Sequence, residues 1–295
     1  MQGIEPATKR PKKQKGLIMN NRIAFQGALG AYSDEACRTA RPGMEVLPCP
    51  NFEDMIDAVL EGHAKLAMVP IENSSYGRVA DIHRLLPESG LHIIDEVFTR
   101  VRISLMANAG TKLRDIKTVR AHIVLLPQAR RFLNEHGILA INAADSAGAA
   151  AQLAKVPDPT SAVLGNAIAA EIYGLALIAQ NIEDHNHNTT RFLIMSREPN
   201  HAPRGDGKMM TTFVFQVRNI PAALYKAMGG FATNGVNMLK LESYMLGGSF
   251  TATQFYADIE GHPKDLNVKL ALEELEYFSD KLNILGVYPA HPHRV

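Results

Sequence analysis

The densest polar run in the chain extends from Asn181 to Phe192, and the strand-like apolar segment Leu193-Ile194-Met195 continues directly from it. Arg191 offers a two-pronged hydrogen bond to a carboxylate, and Thr190 places a hydroxyl beside that positive charge. The alternative for Arg191 is a structural salt bridge. His185 and His187 alternate within the run, but an isolated pair without a third ligand is typical of a solvated loop, so we expect no metal.

A second polar cluster follows the short apolar run Leu66-Ala67-Met68-Val69, which Pro70 ends and which predicts a buried strand. Glu72, Asn73 and Ser74 come just after this strand, where open α/β sheets bind ligands. The alternative is that Asn73 and Ser74 cap the next helix.

Two predicted helix starts could bind an anion through free backbone N–H groups. The first follows the strand at residues 22–25 and a glycine-rich turn; it comprises Gly30, Ala31, Tyr32 and Ser33, with Ser33 as the predicted cap of a helix over residues 34–40. It matches neither a P-loop nor the dinucleotide-binding glycine pattern. The second comprises Asp145, Ser146, Ala147 and Gly148, for which close packing of helix on sheet is a compatible alternative.

Through residue 195 the apolar patterns alternate between strand and helix, which predicts a mostly parallel α/β sheet structure. Residues 199–208 contain prolines and glycines with few apolar side chains, which is typical of a linker. The pattern over residues 209–291 is βαββαβ, a ferredoxin-like unit whose hairpin turn we place at Gly247-Gly248.

Composition excludes several classes of protein. The chain is 46% hydrophobic and 21% charged, as globular proteins are, and it contains no apolar run as long as a membrane span. The net charge of +1 argues against a dedicated nucleic-acid binder. Residues 1–20 are basic and lack a secretory pattern, so we predict a disordered tail; an upstream-start artefact and a nucleic-acid arm are the alternatives. Cys37 and Cys49 are expected to be reduced in a cytoplasmic protein.

Taken together, these motifs resemble those of bacterial prephenate dehydratases that carry a C-terminal ACT regulatory domain. The resemblance covers residues ~22–290. Its most specific parts are the segment Val69 to Ser74 with the following Gly77-Arg78-Val79, and the segment Asn181 to Phe192. Asp145-Ser146-Ala147-Gly148 also matches, as do His122 and Gln128, whereas Ala121 stands where the family often has serine.

The resemblance implies an α/β fold with a two-lobed catalytic domain, similar to periplasmic binding proteins, followed by the ferredoxin-like ACT domain. The catalytic domain covers residues 21–198, with the chain crossing between lobes near 98–102 and 181–188. The ACT domain at 209–291 implies feedback by L-phenylalanine and a homodimer or homotetramer. The implied substrate is prephenate, with no partner nucleic acid or membrane.

The implied reaction is the decarboxylating dehydration of prephenate to phenylpyruvate. Because aromatisation of the ring drives it, no cofactor is chemically required. We expect Thr190 to assist the departing hydroxyl, Arg191 to hold the pyruvyl carboxylate, and Ser74 and Asn73 to orient the substrate. The remaining expected substrate-binding residues are Glu72, Phe192 and the two helix starts at Gly30, Ala31, Tyr32 and Ser33 and at Asp145, Ser146, Ala147 and Gly148.

The effector site implied by the resemblance lies in the C-terminal unit. The expected residues are Ala222, Ala223, Leu224, Asn234, Asn237, Met238, Glu242 and Ser243. Ala222 stands where the family has glycine, and Tyr244-Met245 where it has arginine and proline, so the identity and affinity of the effector stay open. Two alternative functions also stay open: an arogenate dehydratase, and a non-catalytic sensor of a small acid or amino acid. The retained Thr190-Arg191-Phe192 argues against the sensor.

Overall fold

The computed structural model describes residues 21–205, 207–218, 220–245 and 252–294. The predicted tail at 1–20 and the predicted hairpin turn at Gly247-Gly248 lie outside them. The strands are β1 (Arg22–Gln26), β2 (Glu45–Cys49), β3 (Leu66–Asn73), β4 (Gly77–Arg78), β5 (His92–Arg100), β6 (Ser104–Ala107), β7 (Thr118–His122), β8 (Leu139–Ala143), β9 (Ser161–Gly165), β10 (Ala176–Ala179), β11 (Thr189–Ser196), β12 (Met209–Val217), β13 (Met238–Met245), β14 (Ala252–Glu260) and β15 (Ser279–Pro289). The helices are α1 (Tyr32–Ala40), α2 (Phe52–Leu60), α3 (Ala80–Leu85), α4 (Arg130–Glu135), α5 (Ser146–Lys155), α6 (Ala167–Tyr173), α7 (Ala223–Thr233) and α8 (Leu266–Phe278).

The strands form two mixed sheets. The larger has the order β13-β14-β12-β15-β5-β11-β3-β1-β2, with β4 paired to β3, and the smaller has the order β10-β6-β9-β7-β8. Strands joined by crossover helices, such as β1 and β2 or β7 and β8, are parallel. However, β11 is antiparallel to both β3 and β5. The expectation of a mostly parallel sheet is therefore wrong, because β5 and β11 connect the two sheets directly and no crossover helix precedes either pairing.

The chain passes between the sheets twice. It leaves the larger sheet at Arg100 and enters the smaller one at Ser104; it returns between Ala179 and Thr189. We call residues 21–100 with 189–198 the first lobe and residues 104–179 the second lobe. The first connection leaves β5 and the second enters β11, and these two strands are adjacent, since Thr190 of β11 pairs with Thr99 of β5. Side chains near this pair lie where the two lobes meet.

The C-terminal unit, residues 209–289, has the element order βαββαβ. One face of its sheet packs under α7 and α8 through a core that includes Phe213, Phe215 and Leu275. Tyr256 and Tyr288, on the other face, join the core of the first lobe. At Gly286 the sheet continues into β5, and a Cβ there would lie 2.3 Å from the Ile93 carbonyl oxygen, so only glycine permits this approach.

Several local features differ from the sequence predictions. Helix α1 begins at Tyr32 with Ala31 as its cap residue, so Ser33 does not cap it. Helix α3 begins after Val79, so Asn73 and Ser74 do not cap a helix either. We did not predict β2, which contains Pro48; as the edge strand, it tolerates a residue without an N–H.

Neither cysteine of the chain forms a disulfide within the described residues. Cys37 and Cys49 are both buried free thiols. Of the helices in the described ranges, none has the length and apolar character that crossing a bilayer requires.

Candidate active site

Thr190 lies at the start of β11, between β3 and β5, and its side chain is half-buried where the lobes meet. Its partner across the strand pair is Asn73, the last residue of β3. The Asn73 side-chain nitrogen donates to the Thr190 hydroxyl oxygen at 3.0 Å. Since that oxygen accepts here, the hydroxyl proton of Thr190 is available to a ligand.

The orientation of the Asn73 amide follows from its other contacts. Its oxygen accepts backbone N–H groups from Ser75 at 2.9 Å and Tyr76 at 3.0 Å. This Asx turn fixes which end of the amide faces the loop, so the nitrogen must face Thr190. The turn that follows β3 therefore sets the hydrogen-bonding role of the threonine.

A chain of amides connects Thr190 to the second lobe. The Asn73 nitrogen also donates to the Asn188 side-chain oxygen at 2.6 Å, and the Asn188 nitrogen donates to the Gln128 side-chain oxygen. Asn188 is 3% exposed and precedes β11, whereas Gln128 lies in the turn before α4. The Thr190 hydroxyl is thus connected to the second lobe through side-chain hydrogen bonds.

Other residues of the polar run hold the returning connection in place. The Glu183 carboxylate accepts the Ile103 N–H at 2.9 Å, and the Asp184 carboxylate accepts the Arg131 N–H at 3.2 Å. From the first lobe, the Ser74 hydroxyl donates to the His187 carbonyl at 3.1 Å and accepts the Thr189 N–H at 3.0 Å. Ser74 therefore fixes the backbone beside Thr190, and its hydroxyl is occupied within the protein.

Arg191 does not present a free guanidinium to the space between the lobes, so the expectation that it binds a substrate carboxylate is not met. Alternation along β11 turns its side chain away from that of Thr190, towards the C-terminal unit. The side chain is 2% exposed and donates to Glu96 at 2.8 Å, to Glu72 at 2.9 Å and to Asp258. Its fork is thus occupied by carboxylates of the protein itself, as in the structural alternative.

Glu72 and Phe192, the neighbouring residues expected to bind substrate, have different surroundings. Glu72 accepts hydrogen bonds from Arg191 and, at 2.6 Å, from Lys240 of β13. Burial raises the pKa of Glu72, but these two cations outweigh burial and hold it below its usual value. Phe192 is 1% exposed within the core of the first lobe. Phe192 is therefore structural in this arrangement, whereas Glu72, whose side chain is 29% exposed, lines a pocket together with Asn73 and Ser74.

The first helix start meets the second lobe. Gly30 has φ of +88°, and a Cβ there would lie 2.8 Å from both Cα and Cβ of Ala169 in α6. The Gly30 N–H donates to Asp34 at 2.8 Å, and the Tyr32 hydroxyl donates to the Arg102 carbonyl at 2.9 Å. Burial raises the pKa of Tyr32, with Glu35 and Glu183 acting in the same direction. The segment from Gly30 to Ser33 thus closes one lobe against the other, and a carboxylate already accepts its first N–H.

The second helix start lies at the carboxyl edge of the smaller sheet. Asp145, rather than Ser146, caps α5 by accepting the Gly148 N–H. The Ser146 oxygen accepts the His122 N–H at 3.0 Å, which leaves its proton for donation. The N–H groups of Ser146 and Ala147 have no intrahelical acceptor, because they belong to the first turn. Three donors therefore lie at this end of α5, beside the capping carboxylate of Asp145.

The expected effector residues are spread over the C-terminal unit. Ala222 has the left-handed conformation with φ of +63°, and Ala223 and Leu224 pack in the core beneath α7. Met238 packs against the same core. Asn234 donates to Glu274 at 3.1 Å, and Asn237 donates to Glu260 at 3.0 Å.

The Glu242 side chain and the Ser243 carbonyl instead contact the first lobe. Arg78 of β4 donates to the Glu242 carboxylate at 3.4 Å and to the Ser243 carbonyl at 3.2 Å. Arg78 follows the loop that contains Asn73 and Ser74. The segment expected to bind an effector is thus in direct contact with the candidate active site loop.

Sequence reasoning assigned no role to Asn188, Gln128 or Asp258. Asn188 lies in the family-matched segment before Thr190, and Gln128 lies in the one after His122. Their positions in these two segments could have indicated that both residues belong to the site. Asp258 lies 67 positions from Arg191, and local patterns carry no sign of their contact.

Comparisons with known proteins identify one family. The family profile described as prephenate dehydratase matches residues 23–200. A protein of Komagataeibacter europaeus named bifunctional N-acyl-homoserine lactone acylase/prephenate dehydratase is 50% identical over 272 residues, which are 92% of this chain and 97% of that protein. The arogenate dehydratase/prephenate dehydratase 2 of Arabidopsis thaliana, described as chloroplastic, is 36% identical over 91% of this chain and 72% of its own length.

A solved structure has the same fold over nearly the whole chain. It is the prephenate dehydratase of Arthrobacter aurescens in complex with L-Phe, with a TM-score of 0.82 and 29% sequence identity. The match covers 92% of this chain and 94% of that one.

Proposed function

Because the chain belongs to the prephenate dehydratase family, a family of lyases, we propose that it converts prephenate to phenylpyruvate, carbon dioxide and water. The observation that carries the proposal is the hydrogen bond from Asn73 to Thr190. It leaves the threonine proton free to be donated at the junction of the lobes. A sensor would bind its ligand without needing such a donor.

The reaction breaks two bonds of the prephenate ring. The electrons of the bond to the ring carboxylate move into the ring as carbon dioxide leaves, and the bond to the ring hydroxyl breaks with its electrons on oxygen. Hydroxide is a poor leaving group, so hydrogen bonding to it lowers the barrier. Thr190 supplies that bond, directly or through water, and the proton that completes the water molecule comes ultimately from solvent. Donation from Asn73 to the threonine oxygen strengthens this interaction.

The two carboxylates of prephenate require different treatment. The ring carboxylate loses its charge during the reaction, so tight binding of that group would stabilise the ground state and slow turnover. The placement of Arg191 on the opposite side of β11 is consistent with this requirement. We assign the pyruvyl carboxylate to the donors at the start of α5, namely the Ser146 hydroxyl and the N–H groups of Ser146 and Ala147.

The C-terminal unit is proposed to be an ACT domain through which L-phenylalanine inhibits the enzyme. Its βαββαβ order and the phenylalanine complex of the relative from Arthrobacter aurescens support this proposal. The contacts of Arg78 with Glu242 and Ser243 provide a route to the active site loop.

A homodimer is also proposed. Among the described strands, β13 is an edge strand of the larger sheet. Its side chains Leu239, Leu241 and Met245 are 41%, 40% and 61% exposed. Apolar side chains along an edge strand favour pairing with a second copy.

One experiment tests the principal proposal. Purified protein is incubated separately with prephenate and with arogenate, and formation of phenylpyruvate or phenylalanine is followed with and without added L-phenylalanine. Phenylpyruvate formed from prephenate supports the proposal. Phenylalanine formed from arogenate, as the name of the Arabidopsis relative suggests, would make the related dehydration the preferred reaction. No product from either substrate would contradict both.

The relative from Komagataeibacter europaeus favours a second candidate activity, hydrolysis of an N-acyl homoserine lactone, because it is half identical over nearly its whole length. Release of free fatty acid from such a lactone by the purified protein tests this candidate. Assay of the Thr190→Ala variant with both substrates then determines whether the two activities share a site.

A further inference from the structure

A buried cluster of charges joins the first lobe to the C-terminal unit beneath Thr190. Its cations are Arg191, Lys240 and Arg294, and its anions are Glu72, Glu96 and Asp258. The side chains of Arg191, Glu96 and Asp258 are at most 2% exposed. Lys240 also contacts Glu242, which in turn pairs with Arg78, so with these two residues the cluster has four cations and four anions.

Asp258 is the innermost anion that the C-terminal unit contributes. One carboxylate oxygen accepts from Arg191, and the other accepts the Thr212 hydroxyl at 2.6 Å. The Tyr288 hydroxyl lies 2.7 Å from the Thr212 hydroxyl and accepts from Arg191 at 3.0 Å. Arg191 is thus held by side chains from β14 and β15, with Thr212 of β12 fixing both partners.

Strand β3 is irregular next to this cluster. Arg191 pairs with Glu72 of β3, but Phe192 pairs with Pro70, so Ile71 is left without a partner in the ladder. A bulge bends the strand and changes the direction of neighbouring side chains. Strand β11 itself pairs regularly with β5 here, Thr190 with Thr99 and Arg191 with Phe98, so a shift of the Arg191 side chain is passed to Thr190 along an ordered strand.

We propose that Asp258 is a positioning residue for Thr190 and acts through Arg191 from the C-terminal unit. The proposal rests on the proton-donating role given to Thr190 above. Asp258 lies on the face of β11 that is turned away from the space between the lobes. It fixes the Arg191 guanidinium on that face and thereby the position and orientation of Thr190 on the opposite face. The C-terminal unit thus completes the active site as well as regulating it.

The structure offers a matched pair of variants to test this. Thr211 and Thr212 are consecutive, fully buried, and each donates a hydroxyl hydrogen bond. Thr212 bonds to Asp258, whereas Thr211 bonds to the Gly261 carbonyl at 2.8 Å, outside the cluster. Replacement of either by valine removes one buried hydroxyl at nearly the same shape, so the two variants differ in the contacts with Asp258 and Tyr288, which are both partners of Arg191.

The experiment measures kcat and KM for prephenate in the full-length wild type and in Asp258→Asn, Thr212→Val and Thr211→Val. Asp258→Asn is also combined with Thr190→Ala. We expect Asp258→Asn to lower kcat about 10- to 100-fold with little change in KM, because the donor is displaced and substrate contacts remain. Thr212→Val should lower kcat to a smaller extent, and Thr211→Val should stay within about twofold of wild type. In the Thr190→Ala background, Asp258→Asn should change kcat by less than about twofold.

Three results would overturn the proposal while wild-type activity stands. The first is an unchanged kcat in Asp258→Asn, and the second is an equal loss of kcat in the two valine variants. The third is a fold loss of kcat from Asp258→Asn that is as large in the Thr190→Ala background as in the wild type. If Asp258→Asn does not fold, the valine pair decides alone. A wild type inactive towards prephenate would instead overturn the proposed function, and the role of Asp258 with it.

Discussion

The Asn73 side-chain nitrogen lies 3.0 Å from the Thr190 hydroxyl oxygen, and the same nitrogen lies 2.6 Å from the Asn188 side-chain oxygen. One amide therefore orients the candidate proton donor and connects it to the segment that returns from the second lobe. The Ser75 and Tyr76 N–H groups prevent the amide from turning over.

Replacement of Asn73 by aspartate should uncouple these roles. The carboxylate still accepts the two backbone N–H groups, but an acceptor now faces Thr190, so the threonine donates to this new carboxylate in place of the substrate. Loss of one such interaction in a closed site costs about 10²–10³ in kcat. Steady-state kinetics with prephenate measures the loss. Asn51→Asp is the control, because aspartate keeps the α2 cap and removes only the exposed donation from Asn51 to Asp54; equal losses in both variants would contradict the assignment.

Replacement of Gly30 by alanine should force the lobes apart. The new Cβ would lie 2.8 Å from Ala169, on a backbone with φ of +88° that alanine rarely adopts. We expect a lower free energy of unfolding, by about 1–3 kcal/mol, together with a raised KM. Urea unfolding and initial rates measure the two effects. Gly43→Ala, with open space around its Cβ, should leave both unchanged; an active Gly30→Ala protein with normal KM would show that this contact does not govern closure.

The contact of His83 with the C-terminal unit predicts a pH dependence of stability. Burial lowers the pKa of His83 to about 4 from 6.5, with Lys240 acting in the same direction. Its ring accepts the Tyr244 hydroxyl proton and donates to the Ile71 carbonyl at 3.1 Å, which is the neutral form. The stabilisation from the neutral ring is fully present above pH 6.5. As pH falls from 6.5 to 4, the unfolded chain binds a proton that the native state does not, so the free energy of unfolding decreases by about 1.4 kcal/mol per pH unit.

Replacement of His83 by leucine tests this dependence. The variant should be less stable than wild type at pH 7, since it loses both hydrogen bonds, but its stability should fall less steeply between pH 6.5 and 4. Urea unfolding at several pH values gives both quantities. Parallel curves for the two proteins would show that His83 does not titrate on unfolding in this range.

The sequence alone predicted the alternation of elements, the βαββαβ order of the C-terminal unit and the polar segments that meet at Thr190 and Asn73. These features depend on local pattern and on the rule that ligands bind at the ends of strands. The direction of the Arg191 side chain could not be predicted, because it depends on carboxylates 95 and 67 positions away that only packing brings together. The prediction of anion binding at Gly30 likewise could not include Asp34, whose carboxylate accepts its N–H.

The central claim is that the Thr190 hydroxyl assists loss of the ring hydroxyl, and Thr190→Ala tests it most directly. The measurement is kcat for phenylpyruvate formation, with prephenate affinity determined separately by equilibrium binding and Thr190→Ser as the control that keeps a hydroxyl. The account predicts that Thr190→Ala loses about 10²–10⁴-fold in kcat with affinity nearly unchanged, and that Thr190→Ser retains part of the activity. A Thr190→Ala protein that turns over prephenate at close to the wild-type rate would contradict it.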